Sequence, residues 1–411
     1  MFGWTKELNA QERKTLIAAY GGWAVDAFDF MIYTFVIPAL IAAWGMTRGQ
    51  AGLIATSALL ASAFGGWIAG AAADRFGRVR VLQITIAWFA VFTFAGGLTD
   101  SFQQLIIVRT LQGFGFGGEW AVGSVMIGEI IRASHRGRAV GLVQSGWAIG
   151  WGAAALLFTV YFSLLPEHLA WRALFWTGIL PALLIVYVRR HLREPEVFEA
   201  TRARVRQAGD GFLEIFSPKL LRTTVLASLV ATGMQGGYYA VTTWLPTYLK
   251  TVRGLSVLDT GGYLIVIIGG ALAGYLAAAW LSDRIGRRNT FFLFAACSAA
   301  VAVTYTLLPI SDREMLALGF PLGFFVSGNF SGVGAFFTEL FPSRCRGSGQ
   351  GFCYNFGRGV GALFPALVGF LSARFGLGPA IGLFACVAYV LVVVAVAALP
   401  ETRGRELAIY D

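Results

Sequence analysis

The stretch DRFGRVR at Asp74–Arg80 returns as DRIGRR at Asp283–Arg288, 209 residues later, and each copy sits in a short break between two long apolar segments. A second pair keeps nearly the same spacing: EIIRASHRG begins at Glu129 and ELFPSRCRG at Glu339. REPE at 193–196 has its counterpart in LPET at 399–402. Landmarks held at one offset across half a chain mark a duplicated unit.

Outward from these landmarks run apolar segments of about 18–28 residues, each long enough to cross ~30 Å of hydrocarbon. They fall near 16–43, 50–73, 79–97, 101–130, 137–160 and 169–190, and then near 222–249, 256–280, 289–309, 313–338, 347–372 and 377–399. The pattern predicts an all-α membrane protein of twelve transmembrane helices, in two six-helix bundles related by a parallel pseudo-two-fold repeat. The bundles are expected at 1–190 and 222–411, joined by a cytoplasmic linker at 191–221, the one long polar stretch between spans.

Composition agrees. The chain of 411 residues is 57% hydrophobic and 13% charged, whereas soluble domains average roughly 45–50% apolar and ~25% charged. Its 52 glycines favour many close-packed helices over a single anchor. The net charge of +10 would suit nucleic acid, but the basic residues cluster at span ends. With the N-terminus inside, only Arg48, Arg172, Lys250, Arg253, Arg313 and Arg374 fall in outer loops, and Arg109 and Arg358 lie within spans. The remaining basic residues are inside, so both termini are expected in the cytoplasm and nucleic acid drops out as a partner. No secretory signal is expected, because residues 1–14 are polar and the first apolar segment carries two carboxylates. The four cysteines show no metal spacing and the three histidines fall in loops or at span ends. The reading therefore includes no metal, no cofactor and no enzyme: no nucleophile–histidine–acid set lies within the spans.

These landmarks resemble the major facilitator superfamily over essentially the whole chain. Its loop signature appears as Gly70, Asp74, Arg75, Gly77, Arg78 and Arg80, and again as Asp283, Arg284, Gly286 and Arg287, with Ala279 where the first glycine would stand. Its fourth-span signature matches RTLQGFGFGGEW from Arg109. Beside the helix ends, these acids and arginines, with Glu129, Arg136, Glu339 and Arg346, suit a cytoplasmic gate. DAFDF in the first span and GGEW in the fourth look like the proton symporters of organic acids, in the sialate/monocarboxylate or the aromatic-acid branch. WLPTYL at 244–249 is compatible with either, while PETRG at 400–404 is similar to sugar porters.

Ionisable groups inside a membrane are expensive and point to function. At 1.5 Å per residue, Asp26 lies ~15 Å from the inner end of its span, and Glu119 and Arg358 lie at ~16 Å. Asp29 and Arg109 sit further out. The repeat offset maps Asp26 and Asp29 onto Gln235 and Tyr238, Glu119 onto Asn329, and Arg358 back onto Ala148. The first half thus carries acids where the second carries neutral polar groups. That division predicts proton coupling by Asp26, Asp29, Glu119 and Arg109, with Asp29–Arg109 as a static bridge the alternative. It predicts a substrate site at Arg358, Gln235, Tyr238, Tyr239, Asn329, Asn355, Gln144 and Trp147. Arginine keeps its proton and grips a carboxylate with a bidentate fork. The expected protein is a bacterial inner-membrane symporter, monomeric in the lipid bilayer, taking up a small organic anion (a monocarboxylate, aromatic acid or sugar acid) with protons by alternating access. The rivals are a carrier of a neutral sugar and a transport-dead sensor signalling through the linker.

Overall fold

The computed structural model describes residues 3–130, 133–180, 182–191, 211–342 and 345–403. Among them the chain forms sixteen α-helices and no strand. The first half has α1 (Ala10–Trp44), α2 (Arg48–Phe76), α3 (Arg78–Gly96), α4 (Phe102–Ile130), α5 (Ala133–Leu164), α6 (Glu167–Thr177) and α7 (Ala182–His191). After a short α8 (Gly211–Glu214), the second half has α9 (Leu221–Thr251), α10 (Val257–Ile285), α11 (Arg287–Leu307) and α12 (Asp312–Gly328). It ends with α13 (Val333–Leu340), α14 (Arg346–Gly361), α15 (Phe364–Phe375) and α16 (Leu377–Ala397). These make twelve crossing segments, three of them built from two helices each: α6 with α7, α12 with α13, and α14 with α15.

The breaks are where the structure departs from twelve unbroken spans. The expected span 169–190 is interrupted after Thr177, where the sequence has Gly178 and Pro181. That at 313–338 turns through Asn329–Gly332, between Gly328 and Val333. That at 347–372 breaks before Phe364, because Pro365 has no N–H to give an α-helical ladder. Nine helical stretches among the described residues are long and apolar enough to cross a membrane unaided. α4 and α9 have the length but carry Arg109, Gln112, Glu119 and Gln235, the polar residues around which the candidate site is built.

The repeat is visible in the backbone. Thr47 caps the start of α2 and Ser256 that of α10, each accepting a backbone N–H with its hydroxyl. Gly77 closes α2 at φ 107 and Gly286 closes α10 at φ 101. Both ends obey the 209-residue offset. Only glycine adopts that φ without strain, so the glycine in each DRxGR copy is demanded by the turn between two antiparallel helices. Two pairs of glycines spaced four apart lie at helix crossings: a Cβ on Gly113 or Gly117 would meet the backbone of Ala58 or Ser62, and one on Gly270 or Gly274 that of Phe320 or Phe324.

The halves meet along α2 with α14 and α15, α5 with α10, and α1 with α9. On the outer side α2 lies directly on α15. A Cβ on Gly52 would come within 2.5 Å of the Pro365 carbonyl oxygen. The Thr56 hydroxyl donates to the Ala362 carbonyl at 2.6 Å and accepts from the Ala366 N–H at 3.3 Å, so it bridges the break in the opposite half. Lys250 pairs with Glu167 across the outer surface at 3.0 Å. Further along, α2 meets α14 instead: Gly66 faces Asn355 and Trp67 stacks on Phe352 at 6.4 Å, whereas no described atom stands within 4 Å of a Cβ built on Gly70 or Gly351. With the topology expected from the sequence, the contact at Gly52 and Thr56 is an outer seal. Gly52→Leu is expected to prevent that seal and slow uptake about tenfold, since overpacking a tight contact costs ~1–3 kcal/mol. In that variant an added Ala366→Cys should react with a membrane-impermeant maleimide, and in the Gly52 protein it should stay protected.

Candidate functional site

α1 and α4 cross where two acids meet. Asp26 is 0% exposed and Glu119 3%. The two carboxyl groups lie close enough to act on one another, and neither Asp26 oxygen has a hydrogen-bond partner among the described residues. Two carboxylates so placed repel strongly in a medium of low dielectric, and a shared proton relieves this. Room for the pair comes from Gly22, one turn before Asp26: a Cβ there would land on the Glu119 carboxylate. Gly22→Ala is therefore expected to displace Glu119 and lower proton-driven uptake about tenfold while the protein still inserts. Its partner Gly123→Ala, whose Cβ would stand 4.0 Å from Glu119, should be near neutral.

Across the interface stands Arg358 on α14, 2% exposed, with no hydrogen-bond partner for Nε or Nη1. It is close enough to Asp26 to act on it electrostatically. Its guanidinium lies 5.2 Å from the ring centre of Tyr354 and 5.7 Å from that of Phe116. These residues border a small cavity of about 20 Å³, lined by Trp23, Phe116, Trp147, Tyr238, Tyr239, Tyr275, Phe330, Tyr354 and Arg358. Both halves contribute aromatic rings, and one cation is set in the wall. Trp23 and Trp147 approach to 4.9 Å, and Phe30 braces Trp147 and Tyr239 from behind. The wall thus pairs several ring faces with a single positive group.

Asp29 lies apart from this chamber, between α1, α3 and α4. Thr93 and Gln112 donate to its two oxygens, and Arg109 stands 3.7 Å away. Arg109 also lies over the Tyr33 ring at 5.2 Å, and Tyr33 donates to the Ala51 carbonyl. The group ties four helices of one half together.

At the inner edge, Arg287 binds Asp283 and, at 3.2 Å, Glu339, whose other oxygen accepts from Thr402. Burial pushes the Glu401 carboxyl up, but backbone N–H groups of Arg403, Arg287, Thr402 and Arg288 outweigh it and hold the group below the usual glutamate range. Two of those donors open α11, so the PETRG acid caps a helix. Arg346 donates to the Thr338 carbonyl, Arg284 lies over Trp280, and Arg75 lies over Phe76. These bonds knit each half internally; none of them spans the two bundles. The side chains of Asp74, Glu129 and Arg136 lie outside the described residues, as does most of the expected linker, 192–210.

Of the expected substrate residues, Trp147, Tyr238, Tyr239 and Arg358 line the cavity. Gln235 stands behind it, donating to the Tyr354 carbonyl and accepting from Tyr239. Three others do not line it. Asn329 turns towards α11, bonding Ser298, and borders a separate small cavity with Ser282 and Thr290, because the break at 329–332 rotates it away. Asn355 faces Gly66 of α2. Gln144 reaches the Phe330 carbonyl at 3.4 Å, joining the halves at the helix break. Trp23, Phe116, Tyr275, Phe330 and Tyr354 are additions to the expected set. For three of them the signal was spacing: Trp23 is one turn from Asp26, Phe116 one turn from Glu119, and Tyr354 one turn from Arg358; Tyr275 and Phe330 had none.

A family profile described as Major Facilitator Superfamily matches residues 20–318 and 265–409. The chain is 44% identical over 407 residues to a probable 4-methylmuconolactone transporter of Cupriavidus pinatubonensis, covering 98% of this chain and 94% of that one. It is 30% identical over 360 residues to a cis,cis-muconate transport protein of Acinetobacter baylyi, covering 86% of each. Among solved structures, a proton:xylose symporter bound to 6-bromo-6-deoxy-D-glucose superposes with a TM-score of 0.74 at 17% identity, over 97% of this chain and 98% of that one. At that identity the likeness is one of fold.

Proposed function

Since the chain belongs to the major facilitator superfamily, a membrane transporter and not an enzyme, we propose that it carries a small flat organic anion together with protons by alternating access. Arg358 anchors the anion, and the Asp26–Glu119 pair takes and releases the proton. The observation that carries this reading is a buried arginine with unpartnered N–H groups, set in an aromatic wall within electrostatic reach of a paired acid.

The mechanism follows from competition. With the pair deprotonated, Arg358 is drawn to Asp26; with a proton between the acids, the guanidinium is free for an incoming carboxylate. Loading of anion and proton are then favoured together, since the proton cancels the charge that the anion brings. Asp29–Arg109 sets the field on the neighbouring acid and holds α1 against α3 and α4. The Asp74, Asp283 and Glu339 clusters act as the cytoplasmic gate in the state closed to the inside. The named substrates of the two curated relatives are unsaturated acids or their lactones, which fits a chamber of rings better than a sugar acid. A neutral sugar would leave Arg358 without a partner. We place the protein in the bacterial inner membrane as a monomer of two bundles, 1–190 and 222–411, with both termini inside. The test is uptake into proteoliposomes of a panel of aromatic, unsaturated and sugar acids and neutral sugars, with and without an imposed pH gradient. Gradient-dependent uptake confined to carboxylates is expected; uptake of neutral sugars alone would refute the assignment.

A further inference from the structure

We propose that Tyr238 reads a second oxygen on the substrate, so that the site prefers a flat monocarboxylate bearing a hydrogen-bond acceptor away from its carboxylate. This rests on Arg358 being the anion's anchor. Tyr238 is 2% exposed and lines the cavity from α9. The Trp147 indole N–H donates to its hydroxyl oxygen from the opposite half. That bond occupies a lone pair and leaves the hydroxyl proton, which no described acceptor takes. Its neighbour Tyr239 differs, since its hydroxyl already donates to Gln235 Oε1 at 3.2 Å.

Rings on several sides fix where that proton can point. Phe330 stands 5.1 Å from the Tyr238 ring centre, Tyr239 at 6.1 Å and Trp147 at 6.2 Å, all close to edge-on. A buried donor without an acceptor is penalised, so an acceptor brought by the substrate is favoured. Sites built to hydrogen-bond a substrate discriminate strongly against analogues lacking the atom. Tyr238 and Arg358 line the same small cavity, so a substrate held by the guanidinium would bring its second oxygen to the tyrosine hydroxyl only if the two oxygens lie at opposite ends of a short, flat body. The same hydroxyl ties the two halves through Trp147, so the acceptor engages a group that senses their relative position.

The test compares 4-formylbenzoate with 4-vinylbenzoate, and the two 3-substituted isomers, by binding to the purified protein. Formyl and vinyl groups are nearly the same size, and only the former accepts a hydrogen bond. The wild-type protein is expected to bind the formyl member about tenfold more tightly in at least one pair. Tyr238→Phe should bring that ratio to about one whatever it does to affinity overall, while Arg358→Lys should weaken both members alike and leave the ratio standing. Equal binding of formyl and vinyl members by the wild-type protein would overturn the inference even if Tyr238→Phe fails to assemble, and so would an unchanged ratio in that variant. Either result leaves the anion reading intact. Binding of no carboxylate at all overturns that reading and this inference with it.

Discussion

Arg358→Lys is expected to weaken binding of a carboxylate substrate about a hundredfold, or roughly 2.7 kcal/mol, while the protein folds and inserts normally. Lysine keeps the charge, so the acids opposite still find a cation and no uncompensated carboxylate is created. What disappears is the planar fork that holds both carboxylate oxygens. The guanidinium also rests against Tyr354 and Phe116 at 5.2 and 5.7 Å, contacts that a compact ammonium makes less well. Equilibrium binding to purified protein measures the change directly. A lysine variant that binds as tightly as wild type would mean the carboxylate is held elsewhere, and the neutral-sugar alternative would then gain ground.

The second large effect concerns coupling. A pH difference of one unit is worth ~1.36 kcal/mol per proton, which sustains about tenfold accumulation of an anion carried with one proton. Asp26→Asn or Glu119→Gln should bring that accumulation to parity. Exchange of labelled for unlabelled substrate, which needs no net proton movement, should survive far better. Each substitution keeps the size and hydrogen-bonding capacity of the side chain and removes the titrating group, so packing between α1 and α4 is retained. Undiminished accumulation in both variants would take the pair out of the proton path.

Much of the fold was legible because its cause is local and repeated. A glycine at the same place in two DRxGR copies is forced by a turn that only glycine makes, and the structure shows that φ at Gly77 and at Gly286. Counting residues from span ends put Asp26 and Glu119 at one level, since helical rise converts sequence into depth. What counting could not supply was rotation. Asn329 occupies the repeat position of Glu119, but an interruption at 329–332 turns it towards Ser298. The interruption at Pro365 was likewise hidden inside an apolar run. The aromatic chamber was hidden for another reason: in a chain with 34 phenylalanines, a ring that faces substrate and one that faces lipid look the same. Contacts between helices, such as Phe330 and Trp147 against Tyr238, show which rings belong to the chamber.

Thr56 gives the outer seal an unusual character. Its one hydroxyl serves two backbone groups that the break before Pro365 leaves unpaired in the opposite bundle. Parting the bundles therefore uncovers a bare carbonyl and a bare amide at membrane depth, where neither can stay unsolvated. Under the proposed alternating access, outer opening is for this reason expected to be a wetting event, limited by how fast water enters behind the retreating helix. The threshold for exposure to the outside is then set by water activity as well as by substrate and proton, and a solute excluded from the crevice would press the door shut without touching it.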